Sequence, residues 1–163
     1  MWNNIEKLIN LRTGDKGEPF GFVYMIKNKE TDMKYIGKKQ LYKTVKYQNK
    51  KDKKPKRRQT NSDWMNYWGS SNQLLHDIEE LGQDFFERTI LLVCFNKFDL
   101  SVWENLVQWH NQVLFRKDYY NQIINVRLPL KLKNCDLPRQ VIVLKNNHEV
   151  AIPDYSVYKK LFI

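Results

Sequence analysis

Tyr24 and Tyr35 stand eleven residues apart in a stretch laid out like a hairpin. Apolar and aromatic residues run from Phe20 to Ile26, turn-formers and charges fill 27–32, and a second short run, Met33 to Ile36, ends at Gly37. Such runs around a polar turn read as two paired β-strands. Each strand carries a phenol, and a dense lysine tract begins at Lys38. Glu104 borders the apolar face of a helix further on. On the helix alone it reads as a salt-bridged rim residue; with the tyrosines and lysines it reads as a site group. Together these residue types suit phosphodiester hydrolysis. The attacking water must lose a proton, the pentavalent phosphate gathers negative charge, and the leaving alkoxide needs stabilisation. A phenolate can take the proton only if nearby cations lower its pKa from about 10. Lys or Arg can stabilise the transition-state charge. One carboxylate with phosphate oxygens and waters is an adequate Mg²⁺ site. For either tyrosine alone, filling the hairpin's apolar face is as good an account.

The charge is concentrated. Residues 38–58 hold eleven cations, Lys38, Lys39, Lys43, Lys46, Lys50, Lys51, Lys53, Lys54, Lys56, Arg57 and Arg58, and one acid, Asp52. That tract accounts for the whole net charge of +10, so the rest of the chain is balanced. A concentration of this kind raises affinity for polyphosphates and steers association. A solvated loop without a partner is the plainer reading. Nucleic acid is favoured because the tract leaves directly from the tyrosine hairpin. Tyr42 and Tyr47 interrupt the lysines, which fits stacking beside phosphate pairing and equally a loop that tucks two tyrosines onto the domain. Pro55 forbids a continuous helix, so 38–62 reads as a basic loop.

The elements that must hold these groups follow from caps and periodicity. A weakly amphipathic piece with Ile5, Leu8, Ile9 and Leu11 makes 1–19 an N-terminal helix and loop extension. Ser70 or Ser71 caps a helix with Leu74, Leu75, Ile78 and Leu81 at helical spacing, which Gly82 stops. Phe86 to Phe95 reads as a buried central strand, and Asp99 or Ser101 caps a helix reaching about residue 115. Residues 139–163 suggest a hairpin turning at Asn146-Asn147 and a short helix after Pro153-Asp154. That unit is either a small appendage or the part that finishes the core. The fold expected is α/β (α+β), with a small mixed or antiparallel central sheet flanked by helices near 70–81 and 99–115. At 163 residues, 42% hydrophobic and 13% aromatic, the chain suits one compact domain with a core. No run approaches a membrane span, and the N-terminus lacks a signal-peptide layout. Cys94 and Cys135 lie far apart without metal-type spacing, so the expected compartment is intracellular and cytoplasmic. There is no Gly-rich phosphate loop, Cys/His cluster or Gly-x-Ser-x-Gly elbow.

The ordered series resembles the GIY-YIG nucleases, a family of DNA-cutting domains, over about residues 20–125, which implies a nuclease-like domain over 20–128. Phe22-Val23-Tyr24 stands for the first triplet and Tyr35-Ile36-Gly37 for the second. Tyr67-Trp68-Gly69-Ser70-Ser71, then Gly82, Phe86, Arg88, Ile90 and Leu91, are similar to phage-type and homing-endonuclease members. Glu104 falls at the family's helical metal ligand, and Tyr120-Asn121 at its closing Tyr-Asn. The resemblance implies a metal-dependent endonuclease of double-stranded DNA, in a bacterium or a phage-infected cell. Tyr24 would assist or perform deprotonation of the water, and Tyr35 would hold that network or the scissile phosphate. Glu104 would bind a single divalent metal, Mg²⁺ with Mn²⁺ as substitute, and Asn121 would support the site from outside the metal's own ligands. A monomer would nick one strand at a time, whereas a homodimer could break both. The first triplet departs from the family in lacking Gly and Ile. The family's helical arginine is also missing, Val45 standing near its place; Arg57 or Arg58 is the expected replacement, with Lys38 or Lys39 as the other source of charge. Two other readings remain: a nucleic-acid-binding protein without catalysis, and a protein-interaction domain whose lysines meet acidic partners.

Overall fold

The computed structural model describes residues 1–12, 18–48, 54–125, 141–144 and 149–154. Around the two tyrosines the chain forms β2 (Gly21–Asn28) and β3 (Lys34–Gln40), paired antiparallel with Tyr24 opposite Gly37 and Ile26 opposite Tyr35. The turn is local chemistry. The Asn28 side chain accepts from the amides of Glu30 (2.9 Å) and Thr31 (3.3 Å), and Asp32 adopts φ 58°, which a short polar side chain tolerates.

On its other side β2 pairs antiparallel with β6 (Phe86–Cys94). Their register shifts between Val23, opposite Leu92, and Tyr24, opposite Ile90, so β6 bulges by one residue, Leu91, where the first tyrosine enters the core. β1 (Trp2–Asn3) runs parallel to β6 beside Arg88 and Thr89. β7 (Val141–Val143) lies antiparallel to β6 beside Leu92 to Cys94. The path β1-β6-β2-β3 leaves β3 at an edge of the five-stranded sheet.

Both faces of the sheet are covered. α1 (Ile5–Arg12), through Leu8, and α2 (Asn72–Leu81), through Leu74 and Ile78, join Trp2, Phe22 and Tyr24. α3 (Lys97–His110) sets Leu100, Trp103 and Val107 against Val23, Met25, Ile36 and Leu91. α2 has the expected bounds, with the Ser71 hydroxyl accepting from the Leu74 amide and Gly82 at φ 91° beyond its end. α3 begins two residues before Asp99. Its cap is Asn96, whose side chain accepts from the Asp99 amide at 2.8 Å. Asp99 instead occupies the first turn, where a carboxylate suits the helix dipole. The helix stops at His110 and turns fill 111–115.

Residues 38–62, expected as a loop, hold the end of β3 and a separate two-stranded antiparallel ribbon of β4 (Tyr42–Tyr47) and β5 (Lys56–Asn61). Residues 141–144 join the central sheet. Leu144 donates its amide to Leu91 O (2.8 Å), and the Asn111 carboxamide holds Ala151 at both backbone N and O (2.9 and 2.7 Å). The expected turn at Asn146-Asn147, the helix beyond residue 154 and Cys135 lie outside the described residues. Among the described residues no helix is long and apolar enough to cross a membrane.

Candidate active site

An edge strand exposes backbone donors and acceptors, and β3 has its edge closed by the chain itself. Residues 118–121 run alongside it. Lys34 donates its amide to Asp118 O (2.9 Å) and Tyr120 donates to Lys34 O (2.7 Å). One step further the Asn121 side chain takes over from the backbone. Its Oδ1 accepts from the Ile36 amide (2.9 Å) and its Nδ2 donates to Ile36 O (2.8 Å). Gln108, one turn after Glu104 on α3, donates to the same carbonyl (2.9 Å). Tyr120 is anchored in turn, its hydroxyl donating to Asp77 Oδ2 (2.7 Å) and accepting from Asn28 Nδ2 (3.0 Å).

Strand alternation then sorts the site groups. Tyr35, Gly37 and Lys39 share the face of β3 that carries Tyr24, while Ile36 and Lys38 face α3. Tyr24 is buried among Trp2, Phe22 and Tyr67, all at edge-to-face angles. Its ring lies 6.1 Å from that of Tyr35. Burial pushes the Tyr24 phenol well above its ordinary pKa, and the neighbouring Tyr35, Tyr67 and Glu104 push the same way. Tyr35 is raised too, by burial first, with an opposing hydrogen bond from the Ser70 hydroxyl at 3.0 Å.

Glu104 reaches the same sheet edge from α3. Its carboxylate pairs with Lys38 Nζ at 2.8 Å and is half-buried. Burial raises its pKa and Lys38 opposes that shift. Tyr35, Ser70, Glu104, Gln108, Tyr120 and Asn121 line a cleft of about 400 Å³. Tyr24 sits behind this wall rather than in it. The cleft thus offers a phenol and a carboxylate, and the carboxylate is paired with Lys38 beside it. Among the described residues no group of three His, Cys, Asp or Glu gathers to hold a metal ion, and Glu104 is the one carboxylate among the residues lining the cleft.

The two arginines lie elsewhere. Arg57 and Arg58 are exposed on β5, Arg58 with its guanidinium 5.5 Å from the Tyr47 ring centroid, and neither lines the cleft. Among the described residues of the tract, Lys38 is the cation that pairs with Glu104. Lys39 is committed to Asp63 (2.8 Å) and to the face of Tyr67, 3.4 Å from its centroid. Lys43, Lys46, Lys54 and Lys56 are exposed; Lys50, Lys51 and Lys53 lie outside the described residues. Sequence reasoning left Gln108 unassigned, although its position four residues after Glu104 puts it on the same helix stripe.

A family model described as "Putative endonuclease segE, GIY-YIG domain" matches residues 4–124. No curated protein matches the chain, and no solved structure does.

Proposed function

The chain belongs to the GIY-YIG endonuclease family, and on that premise we propose that it hydrolyses phosphodiester bonds in double-stranded DNA with the help of one divalent metal ion. The observation that carries this reading is the meeting of Tyr35, Glu104 and Lys38 at one sheet edge, with Tyr24 directly behind Tyr35. Structural tyrosines alone would not require a half-buried carboxylate to line the same cleft as Tyr35.

The roles follow from the chemistry of each group. Tyr35, oriented by Ser70, donates a hydrogen bond to the scissile phosphate or the attacking water. Tyr24 stays protonated at neutral pH because burial opposes its phenolate. Its hydroxyl therefore orients and relays a proton, unless added positive charge lowers its pKa. Lys38 brings positive charge against the phosphate oxygens. Glu104 would hold Mg²⁺, or Mn²⁺ in its place, and the ion would supply Lewis-acid charge to the phosphate and the water. A lone carboxylate on an open cleft fits an ion that keeps most of its ligands as water and phosphate oxygen.

One observation favours a binding protein without catalysis: Lys38 already occupies Glu104. Supercoiled plasmid with Mg²⁺ or Mn²⁺ separates the two readings. The endonuclease nicks or linearises it, and Tyr24→Phe and Glu104→Ala each lower the rate by at least about 10²-fold. Intact plasmid under every divalent metal, or undiminished cutting by both variants, would sink the proposal.

A further inference from the structure

The β4–β5 ribbon stands apart from the central sheet. Its twelve residues include Lys43, Lys46, Lys56, Arg57 and Arg58 and no acid. Isolated two-stranded hairpins are marginal in water, and this one is held at its base. Leu41 is fully buried and donates its amide to Phe20 O (3.0 Å). Ser62 donates to Leu41 O (2.8 Å), and the Tyr42 hydroxyl donates to Glu18. Register divides the ribbon into two faces. Thr44 pairs with Gln59 and Lys46 with Arg57, and all four are exposed. The other face carries Val45 and Thr60, both half-buried, with Lys43, Tyr47, Lys56 and Arg58. Beyond the half-buried Tyr42 and its partner Asn61 at the base, the first face therefore presents a hydroxyl, a carboxamide, an ammonium and a guanidinium.

We infer that this ribbon is a DNA-reading arm that enters the major groove with Thr44, Lys46, Arg57 and Gln59 toward the base edges. Six-residue strands give a ribbon about 20 Å long. A two-stranded ribbon fits a major groove about 12 Å wide. Arg and Gln are side chains that bond guanine and adenine edges in pairs, while the remaining cations meet phosphates. β3 carries Tyr35 and Lys38 and leads through Leu41 straight into β4, so groove contact would fix which phosphodiester bond faces the cleft. The inference rests on the endonuclease reading for its choice of duplex DNA as ligand.

The test measures binding by the full chain carrying Glu104→Ala, so that no result depends on cleavage. Selection from a random-sequence duplex library should return a preferred sequence. Adding Thr44→Ala with Gln59→Ala should flatten the preference about tenfold with unchanged melting. Adding Lys43→Ala with Lys56→Ala should weaken all duplexes alike and reduce the slope of log affinity against log salt by about 2. No preference in the parent chain, or a preference that survives Thr44→Ala with Gln59→Ala, would overturn base reading. Duplex affinity and salt slope untouched by Lys43→Ala with Lys56→Ala would overturn the arm itself, as would tighter binding of single-stranded RNA than of duplex DNA. A chain that binds through the ribbon but, with Glu104 intact, never cuts plasmid would remove the endonuclease reading and leave the arm.

Discussion

The hydroxyl of Tyr24 lies over Gly37. The two residues are cross-strand partners, and a Cβ built on Gly37 would come within 2.7 Å of the Tyr24 hydroxyl, 2.9 Å of its ring and 2.9 Å of the Tyr35 ring. The glycine that ends the second triplet is thus the space in which the two phenols meet. Gly37→Ala should cost about 1–3 kcal/mol through overpacking and lower cutting by about 10²-fold through misplacement of the tyrosines. Tyr24→Phe removes the closest atom, so the double variant should recover part of the stability but none of the activity. Melting temperatures and plasmid nicking of all four chains check this, and additive losses of stability would contradict it.

Asn121 acts as a surrogate strand for β3. Asn121→Ala strips the buried Ile36 amide of its acceptor and should cost about 1–3 kcal/mol. Gln108→Ala should cost less, because Ile36 O keeps the Asn121 donor. Urea unfolding gives the order directly. Equal losses would show that Asn121 does not hold the edge alone at that amide.

These dependencies explain what was legible in the sequence. The hairpin, α2 and β6 could be read because their signals are local: turn residues, a serine cap, a stopping glycine, an apolar run. The start of α3 is hard to read because three capping-type residues, Asn96, Asp99 and Ser101, fall within six positions, and only geometry selects Asn96. β1 is two residues long and carries no period. The ribbon buries almost nothing, so its strands lack the alternation that reveals a strand. The candidate site was half legible. Tyrosines and glutamate stand out by type, whereas the pairing of Lys38 with Glu104 joins two elements far apart in sequence and is set by the sheet edge.

Arg88 shows what an arginine inside a strand can do for a site it does not touch. Its guanidinium lies 4.6 Å from the Trp2 ring centroid and 3.9 Å from that of Trp68, and it donates to Met65 O (3.1 Å) and Tyr67 O (3.0 Å). It thereby fixes the segment that presents Tyr67 and Ser70. Arg88→Lys keeps the charge but loses the planar fork and the stacking. It should cost about 2–3 kcal/mol and slow cutting without altering duplex binding. An unchanged melting temperature would contradict this account.

The cation of the site can be identified by kinetics. Lys38→Met should lower the cutting rate at saturating DNA by about 10²-fold, as loss of a charge-stabilising group does. Arg57→Ala, remote from the cleft, should weaken DNA binding and leave the saturated rate alone. The reverse pattern would place the missing family arginine on β5.

Glu104 gives a pH signature that needs no DNA. Burial raises its pKa above the ordinary glutamate value of 4.5, against the pull of Lys38. Folding therefore favours the protonated acid. The associated stability is fully present below the unfolded-state pKa and is lost as pH rises through the higher folded-state value. In metal-free buffer the wild-type chain should lose stability relative to Glu104→Gln as pH climbs through the window just above 4.5. Lys38→Met removes the opposing cation, so the window should widen upward. A divalent ion should reverse the trend at the upper end, since it binds the ionised carboxylate and stabilises the fold that carries it. Thermal melts of the three chains across pH, with chelator and then with Mn²⁺, measure all of this. Parallel pH profiles for wild type and Glu104→Gln would mean that Glu104 keeps an ordinary pKa. An Mn²⁺ effect of equal size in both would remove it as the metal ligand.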